Sequence, residues 1–323
     1  MDLAVTSVIG SAGADRVAQL MASGGLFVDY GLASLRLHAR SPSLADALHA
    51  VYRHFPLQAA AAGAWADIDL SVVPHGRRRL SGQAPEVRLA SDGRLIFDPF
   101  PADHGLPLVE WGCNWMVAQR MNHVLLLHAG AVERDGTALL LPALPGSGKS
   151  TLTAALALSG WRLLSDEFGA LDPASFSLQP VLKPVGLKNA SIDVIRTRFA
   201  GAELGPSFPK THKGTVAHLA PPAAAVARRH EGARPGAIVL PRWQAGVATR
   251  FERLGAHEAF SALAFNSFNY AVLGETGFRA VLRVVRECPA WRLVYSDLDD
   301  ALATLGRLWQ DLPGMQRAAP AQD

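Results

Sequence analysis

Residues 143–151 read Ala143-Leu144-Pro145-Gly146-Ser147-Gly148-Lys149-Ser150-Thr151, and this stretch decides how the chain is read. Backbone N–H groups of a glycine-rich turn can cradle phosphates, a lysine there reaches the terminal phosphates, and the next hydroxyl can bind Mg²⁺. The full pattern, G-x-x-x-x-G-K-[ST], fails only at its first position, where Ala143 stands. The flanks agree with the pattern. The apolar run 138–141 predicts a buried strand, and the Ala/Leu-rich run 152–159 predicts a helix stopped by Gly160. Strand, turn and helix together set an anion at a helix N-terminus, where unbonded N–H groups and the dipole favour it. The bland reading, a Gly/Ser surface turn, explains neither Lys149-Ser150-Thr151 nor the flanks.

Working outward, an acid pair follows. Ser165-Asp166-Glu167 closes the apolar strand 161–165, and Asp166 lies 17 residues after Lys149. An acid at the end of a strand beside a phosphate turn can hold Mg²⁺, and a neighbouring acid can accept a proton from an attacking hydroxyl. Adjacent residues of an extended chain point to opposite sides, so the two acids need not share one task. The alternative is a surface turn after a strand. His128, in the preceding apolar strand 124–132, reads by itself as a core residue. Lys183, Lys188 and Lys213 stand in later loops. Each supplies the kind of cation that neutralises a transferring phosphoryl group, and each alone is also an ordinary surface lysine.

The chain has 323 residues, 49% of them apolar and 18% charged, with a net charge of +3. That is enough to bury a core and too mild a charge to argue for nucleic acid. Arg77-Arg78-Arg79 reads as a solvated loop rather than a polyanion site. Cys113 and Cys288 are far apart without metal-ligand spacing and read as buried thiols of a reducing compartment. No basic signal-peptide start follows Met1, and no run reaches the length of a membrane helix. A soluble cytoplasmic protein is expected, without nucleic-acid or membrane partners.

The expected organisation is a small α+β domain over 1–105, a phosphate-turn domain over 106–312 and a frayed tail over 313–323. Within the first, strands are predicted at 26–29, 68–73 and 87–89, a helix at 43–54, turns at Ser81-Gly82 and Asp92-Gly93, and a linker or docking strand at 97–101. Trp111, Trp115 and Met116 mark a helix core face over 106–120. A hairpin turns at Arg134-Asp135-Gly136. Beyond it, strands are expected at 168–171, 177–182, 237–240, 249–254 and 291–295. Helices are expected at 190–198, 256–268, 277–287 and 298–309. The stretch 200–235 is rich in Pro, Gly and Ala, and 210–215 within it reads as a mobile loop.

The order of His128, the turn ending Gly148-Lys149-Ser150, and then Gly160-Trp161-Arg162-Leu163-Leu164-Ser165-Asp166-Glu167 resembles the HPr kinase/phosphorylase family over roughly 120–200. The stretches 111–115, 187–196 and 213–218 are similar to a divergent branch, the HPr kinase-related kinases of the A type, which accompany a PqqD-type peptide chaperone. The resemblance implies an α/β fold shared with phosphoenolpyruvate carboxykinase, a mixed sheet around the phosphate turn. It also implies ATP and Mg²⁺ as cofactors and serine phosphorylation of a peptide or small protein. By position, Pro145, Gly146, Ser147, Gly148, Lys149, Ser150 and Thr151 would bind the nucleotide, and Ser150 with Asp166 or Glu167 the metal. One of the two acids would be the base, and His128 would lie near the phosphates. Lys213 or Lys183 would cover the γ-phosphate from a loop, with Lys183 and Lys188 in the substrate loop. A homo-oligomer is compatible with this picture. The chain departs from the family at Ala143, at Pro145, at Glu167 (an Asp in the family) and at Lys183-Pro184-Val185-Gly186. Those departures leave the phosphorylase half-reaction and HPr itself outside what the resemblance implies. Two other functions fit the same residues: a small-molecule kinase, and a non-catalytic nucleotide-sensing scaffold for peptide modification.

Overall fold

A computed structural model describes residues 7–60, 65–76 and 84–312. The start at Met1, the basic run Arg77-Arg78-Arg79, the Ser81-Gly82 turn and the tail from Pro313 lie outside the described residues. The fold is mixed α/β, with mixed sheets and helices. It forms two compact units: the described parts of Met1–His123 with Gln179–Glu231, and of Val124–Leu178 with Gly232–Asp323. The segment 1–105 therefore falls in the first unit, which also takes in the helix Gly105–Arg120 and the stretch 179–231.

In the first unit a sheet runs in the order Gln58–Ala59, Leu26–Asp29, Ser34–Ala39, Ile68–His75, Glu86–Ser91, Arg94–Leu95. Leu35, Leu37, Ile68, Leu70 and Leu89 point inward at period two and are essentially inaccessible. Ser34–Ala39 and Ile68–His75 are parallel. Parallel neighbours need a crossover, and the helix Pro42–Val51 supplies it, capped by the Ser41 hydroxyl accepting from the Leu44 amide. Phe100–Pro101 docks as a two-residue strand on Glu86–Ser91. A second, three-stranded sheet joins Val185–Lys188, Gly214–Leu219 and Phe208–Thr211. The expected mobile loop at 210–215 is thus the turn of a β-hairpin. The Thr211 hydroxyl donates to the Gly214 carbonyl, and the Lys213 ammonium lies 5.0 Å from the centre of the Trp111 ring. Pro- and Ala-rich flanks hid this pairing, because the strand Phe208–Thr211 is only four residues long.

His218, on that hairpin, is buried, and its Nδ1 has no hydrogen-bond partner among the described residues. Burial pushes its imidazole down to about 4; Glu110 opposes this, while Lys183 and Lys188 add to it. Between about pH 6.5 and 4 the unfolded chain binds a proton that the folded chain refuses. Stability is therefore full above about pH 6.5 and falls as the pH drops towards 4, by about 3 kcal/mol over the window. His218→Gln should flatten this part of the stability profile, as read from urea midpoints at pH 7 and pH 4.5. An unchanged slope would place the acid sensitivity elsewhere.

The second unit carries one large mixed sheet. Its order is Ser177–Gln179, Phe168–Asp172, Leu125–Arg134, Thr137–Pro142, Arg234–Trp243, Ala290–Tyr295, Arg250–Arg253. Thr137–Pro142, Arg234–Trp243 and Ala290–Tyr295 are mutually parallel, so these three strands end at one edge. Leu125–Arg134 and Thr137–Pro142 form the expected hairpin, turning at Asp135 and Gly136, both with positive φ. Leu125, Leu127, Ala129, Leu140, Ile238, Val281 and Val284 share one core, to which the helices Ala256–Phe265 and Glu275–Glu287 contribute their apolar faces. The helix Lys149–Leu158 packs on Leu125–Arg134 and against Leu298–Asp311. Among the described residues, no helix is long and apolar enough to cross a membrane.

Candidate functional site

The strand Thr137–Pro142 runs into the glycine turn, and the turn runs into the helix Lys149–Leu158. Gly146 and Gly148 have φ of +86° and +85°, which side-chain-bearing residues rarely adopt. Gly148 is also sterically required. A Cβ on it would lie 2.7 Å from the Tyr295 hydroxyl and 2.9 Å from the Trp243 Cβ. At Gly146 a Cβ would meet nothing within 4 Å, so the turn is open on that side. Gly148 is the N-cap, and no side chain caps the helix. The first-turn N–H groups, at Lys149, Ser150 and Thr151, thus form an anion-attracting end. The Ser147 hydroxyl oxygen is buried and has no hydrogen-bond partner among the described residues. An open cradle with an unsatisfied hydroxyl suits a phosphate.

The acids reach this turn through the sheet. Arg162–Ser165 and Phe168–Asp172 both pair antiparallel with Leu125–Arg134. Ser165 opposes Ala131 and Phe168 opposes His128, so Asp166 and Glu167 face Gly130 and Ala129 between two paired stretches. The Glu167 carbonyl accepts from the Ala129 amide at 3.3 Å. The Ser165 hydroxyl accepts from the amides of Glu167 and Phe168 at 3.3 and 3.0 Å, turning the chain at the acids. Gly130 makes room for the helix: a Cβ there would lie 2.3 Å from the Thr153 hydroxyl. The acid pair is therefore not a surface turn; it sits within a ladder beneath the helix that starts at Lys149.

Lys149 is buried, and its ammonium donates to the Asp166 carbonyl. The same nitrogen lies 3.9 Å from the Glu167 carboxylate, whose other oxygen is 3.4 Å from Nε2 of His128. Asp166 is 9% exposed, whereas the Glu167 side chain is 35% exposed. The two acids, in the bend between Arg162–Ser165 and Phe168–Asp172, differ in environment. His128 has a half-open position rather than a core one. Its ring lies 5.4 Å from that of Phe268, and its backbone amide donates to the Asn266 carbonyl. The neighbouring Asn269 is buried and clamps Leu125–Arg134, accepting from the Leu126 amide and donating to the Val124 carbonyl. Lys149, His128, Asp166 and Glu167 thus converge at the turn, with Ser150 and Thr151 half-buried on the first helical turn. Among the described residues, no group of three or more His, Cys, Asp or Glu forms a metal cage.

The later lysines belong to the first unit. Lys183 is buried, and its ammonium donates to the Glu110 carboxylate at 2.7 Å, to the Glu110 carbonyl at 3.2 Å and to Asn114 Oδ1 at 2.8 Å. Glu110 also accepts from the Tyr52 hydroxyl at 2.5 Å, and that hydroxyl lies 3.1 Å from Tyr30. Burial raises both phenols well above their usual range, with Cys113 and Glu110 adding for Tyr30 and Glu110 adding first for Tyr52. Cys113, beside them, is pushed up to about 12, chiefly by burial. Lys188 and Lys213 form a separate cationic patch. Burial, then Lys213, then Lys188, hold the nearby His212 below the usual histidine range. Lys183→Met should cost about 3–5 kcal/mol of stability, because it strands the buried Glu110 carboxylate. A denaturant midpoint within experimental error of the wild type would return Lys183 to the substrate loop.

Two residues at the turn were not singled out from the sequence. Tyr295 ends Ala290–Tyr295 and donates its hydroxyl to the Gly148 carbonyl at 3.3 Å; Trp243 ends Arg234–Trp243 and donates its backbone amide to the Ser147 carbonyl at 2.8 Å. The available signal was positional, since ligands gather where parallel strands end. No family model matches this chain, and no curated protein matches it.

Proposed function

We propose that the chain is an ATP-dependent phosphotransferase of the HPr kinase-like kind, phosphorylating serine in a peptide or small protein. The observation that carries this reading is the convergence of Lys149, Glu167 and His128 beside an uncapped helix that opens on a glycine turn. The turn amides from Gly146 to Thr151 would hold the phosphates, and the Ser147 hydroxyl gains a partner there. Ser150 and the Asp166 carboxylate would hold Mg²⁺. ATP would supply the phosphoryl group, and Mg²⁺, when bound by these residues, would offset its negative charge. Lys149 offsets the charge that builds up as the group leaves. Glu167, the more accessible acid, takes the proton from the acceptor hydroxyl, and His128 holds its carboxylate in place. The shared fold implied by the resemblance, a mixed sheet around the phosphate turn, is consistent with the second unit. A PqqD-type chaperone is the partner expected to present the acceptor.

The test is incubation with ATP labelled at the γ-phosphate, Mg²⁺ and a library of serine-containing peptides, with the products identified by mass spectrometry. Label on a peptide serine supports the reading. Label only on a sugar, nucleotide or other metabolite makes the chain a small-molecule kinase. ATP binding with no transfer to any acceptor makes it a nucleotide-sensing scaffold.

A further inference from the structure

We propose that the indole face of Trp243 is the platform on which the base of a nucleoside triphosphate stacks; this rests on the phosphate-site reading above. Trp243 is half-exposed at the end of its strand. Exposed tryptophans are usually loose, but this one is fixed at both ends. Its backbone amide is tied to the Ser147 carbonyl at 2.8 Å, and its indole Nε1–H donates to the Ser296 carbonyl at 3.1 Å. The following residues are tied down as well: the Gln244 amide donates to the Tyr295 carbonyl at 2.8 Å and the Gly246 amide to the Ser296 hydroxyl at 3.0 Å. The indole N–H is thus spent on the protein while half of the residue stays exposed.

Of the other six tryptophans, five lie against a ring or a cation; Trp65 is the exception, exposed and away from the glycine turn in sequence. Trp111 has His212 and Lys213, Trp115 has Phe97, Trp161 and Trp309 have each other, and Trp291 has Phe251 and Arg253. Among the described residues, no ring or cation covers Trp243. Its Cβ would be 2.9 Å from a Cβ on Gly148, so the ring begins beside the glycine turn. A rigid, uncovered aromatic next to a phosphate cradle matches a ligand that joins phosphates to a flat base. Stacking tolerates any base, so the platform supplies affinity rather than base identity.

The experiment titrates the wild type, Trp243→Ala and Trp243→Phe with Mg-ATP and, separately, with Mg-tripolyphosphate, which lacks the base. Alanine should weaken ATP binding about tenfold or more while leaving tripolyphosphate within about twofold, and phenylalanine should retain most ATP affinity. Nucleotide-induced quenching of tryptophan fluorescence should shrink in Trp243→Phe, whose circular dichroism should match the wild type. If the wild type binds ATP but the alanine variant weakens both ligands equally, or neither, the platform is refuted while the phosphate site stands. Unchanged ATP affinity with a raised KM for a peptide acceptor would assign the ring to the acceptor and also refute it. If the wild type binds neither ligand, the phosphate site itself fails and the platform with it.

Discussion

Lys149→Ala should abolish most of the proposed phosphoryl transfer, lowering kcat by about a hundredfold to a thousandfold while the protein still folds. An ammonium held in a largely water-excluded position keeps most of its field, because little solvent screens it. That field is aimed by two contacts, the Asp166 carbonyl and the Glu167 carboxylate 3.9 Å away. In the substitution the Asp166 carbonyl loses a donor, which costs about 1–3 kcal/mol of stability. Tested as initial rates at saturating Mg-ATP, the loss should fall on kcat rather than only on KM, since charge on the leaving group grows in the transition state. Near-wild-type turnover would show that the glycine turn does not serve phosphate chemistry.

Asp166→Asn and Glu167→Gln should both impair turnover and yet differ in kind. Glu167→Gln keeps size and shape but removes the proton acceptor, so kcat should drop by about a hundredfold to ten-thousandfold, and raising Mg²⁺ should not restore it. Asp166→Asn would weaken the proposed metal site, so its deficit should shrink as Mg²⁺ rises. Glu167 also lies 3.4 Å from His128, and the amide changes what that contact can accept. Measuring rates across a Mg²⁺ series separates the two roles. Equal and mild losses in both variants would mean that neither acid serves the reaction; a full rescue of Glu167→Gln by Mg²⁺ would exchange their roles.

Much of the second unit was legible because its signals are local. Gly148-Lys149-Ser150 needs only the chain on either side to be read as turn and helix start, and Arg134-Asp135-Gly136 needs only a hairpin turn. Hydrophobic runs likewise placed Leu125–Arg134 and Arg162–Ser165 to within a residue or two. The strand Ser34–Ala39 and the helix Ala14–Ala22 were missed although both are amphipathic: Leu35 and Leu37 alternate with polar residues, and Val17, Leu20 and Met21 share one helix face. Lys183 shows the other limit. A lysine beside Pro184 and Gly186 reads as a loop cation, and only the fold reveals the Glu110 carboxylate 73 residues earlier that buries it. His128 shows the reverse. Alone in an apolar strand it reads as core, and its contact with Glu167 depends on strand register that the sequence does not carry. Tyr295 was legible only as a strand end, and Trp243 lay beyond the expected strand 237–240; the meaning of both lies in the parallel order of three strands far apart in the chain.

The most direct test of the central claim, that the turn 146–151 holds the phosphates of ATP beside Lys149 and the acid pair, is a phosphorus NMR titration of the protein with Mg-ATP. Binding should be saturable, should shift or broaden the β- and γ-phosphate resonances, and should be greatly weakened in Lys149→Ala. Phosphate resonances that stay at their free positions up to millimolar protein, or that respond identically in the wild type and Lys149→Ala, would contradict it.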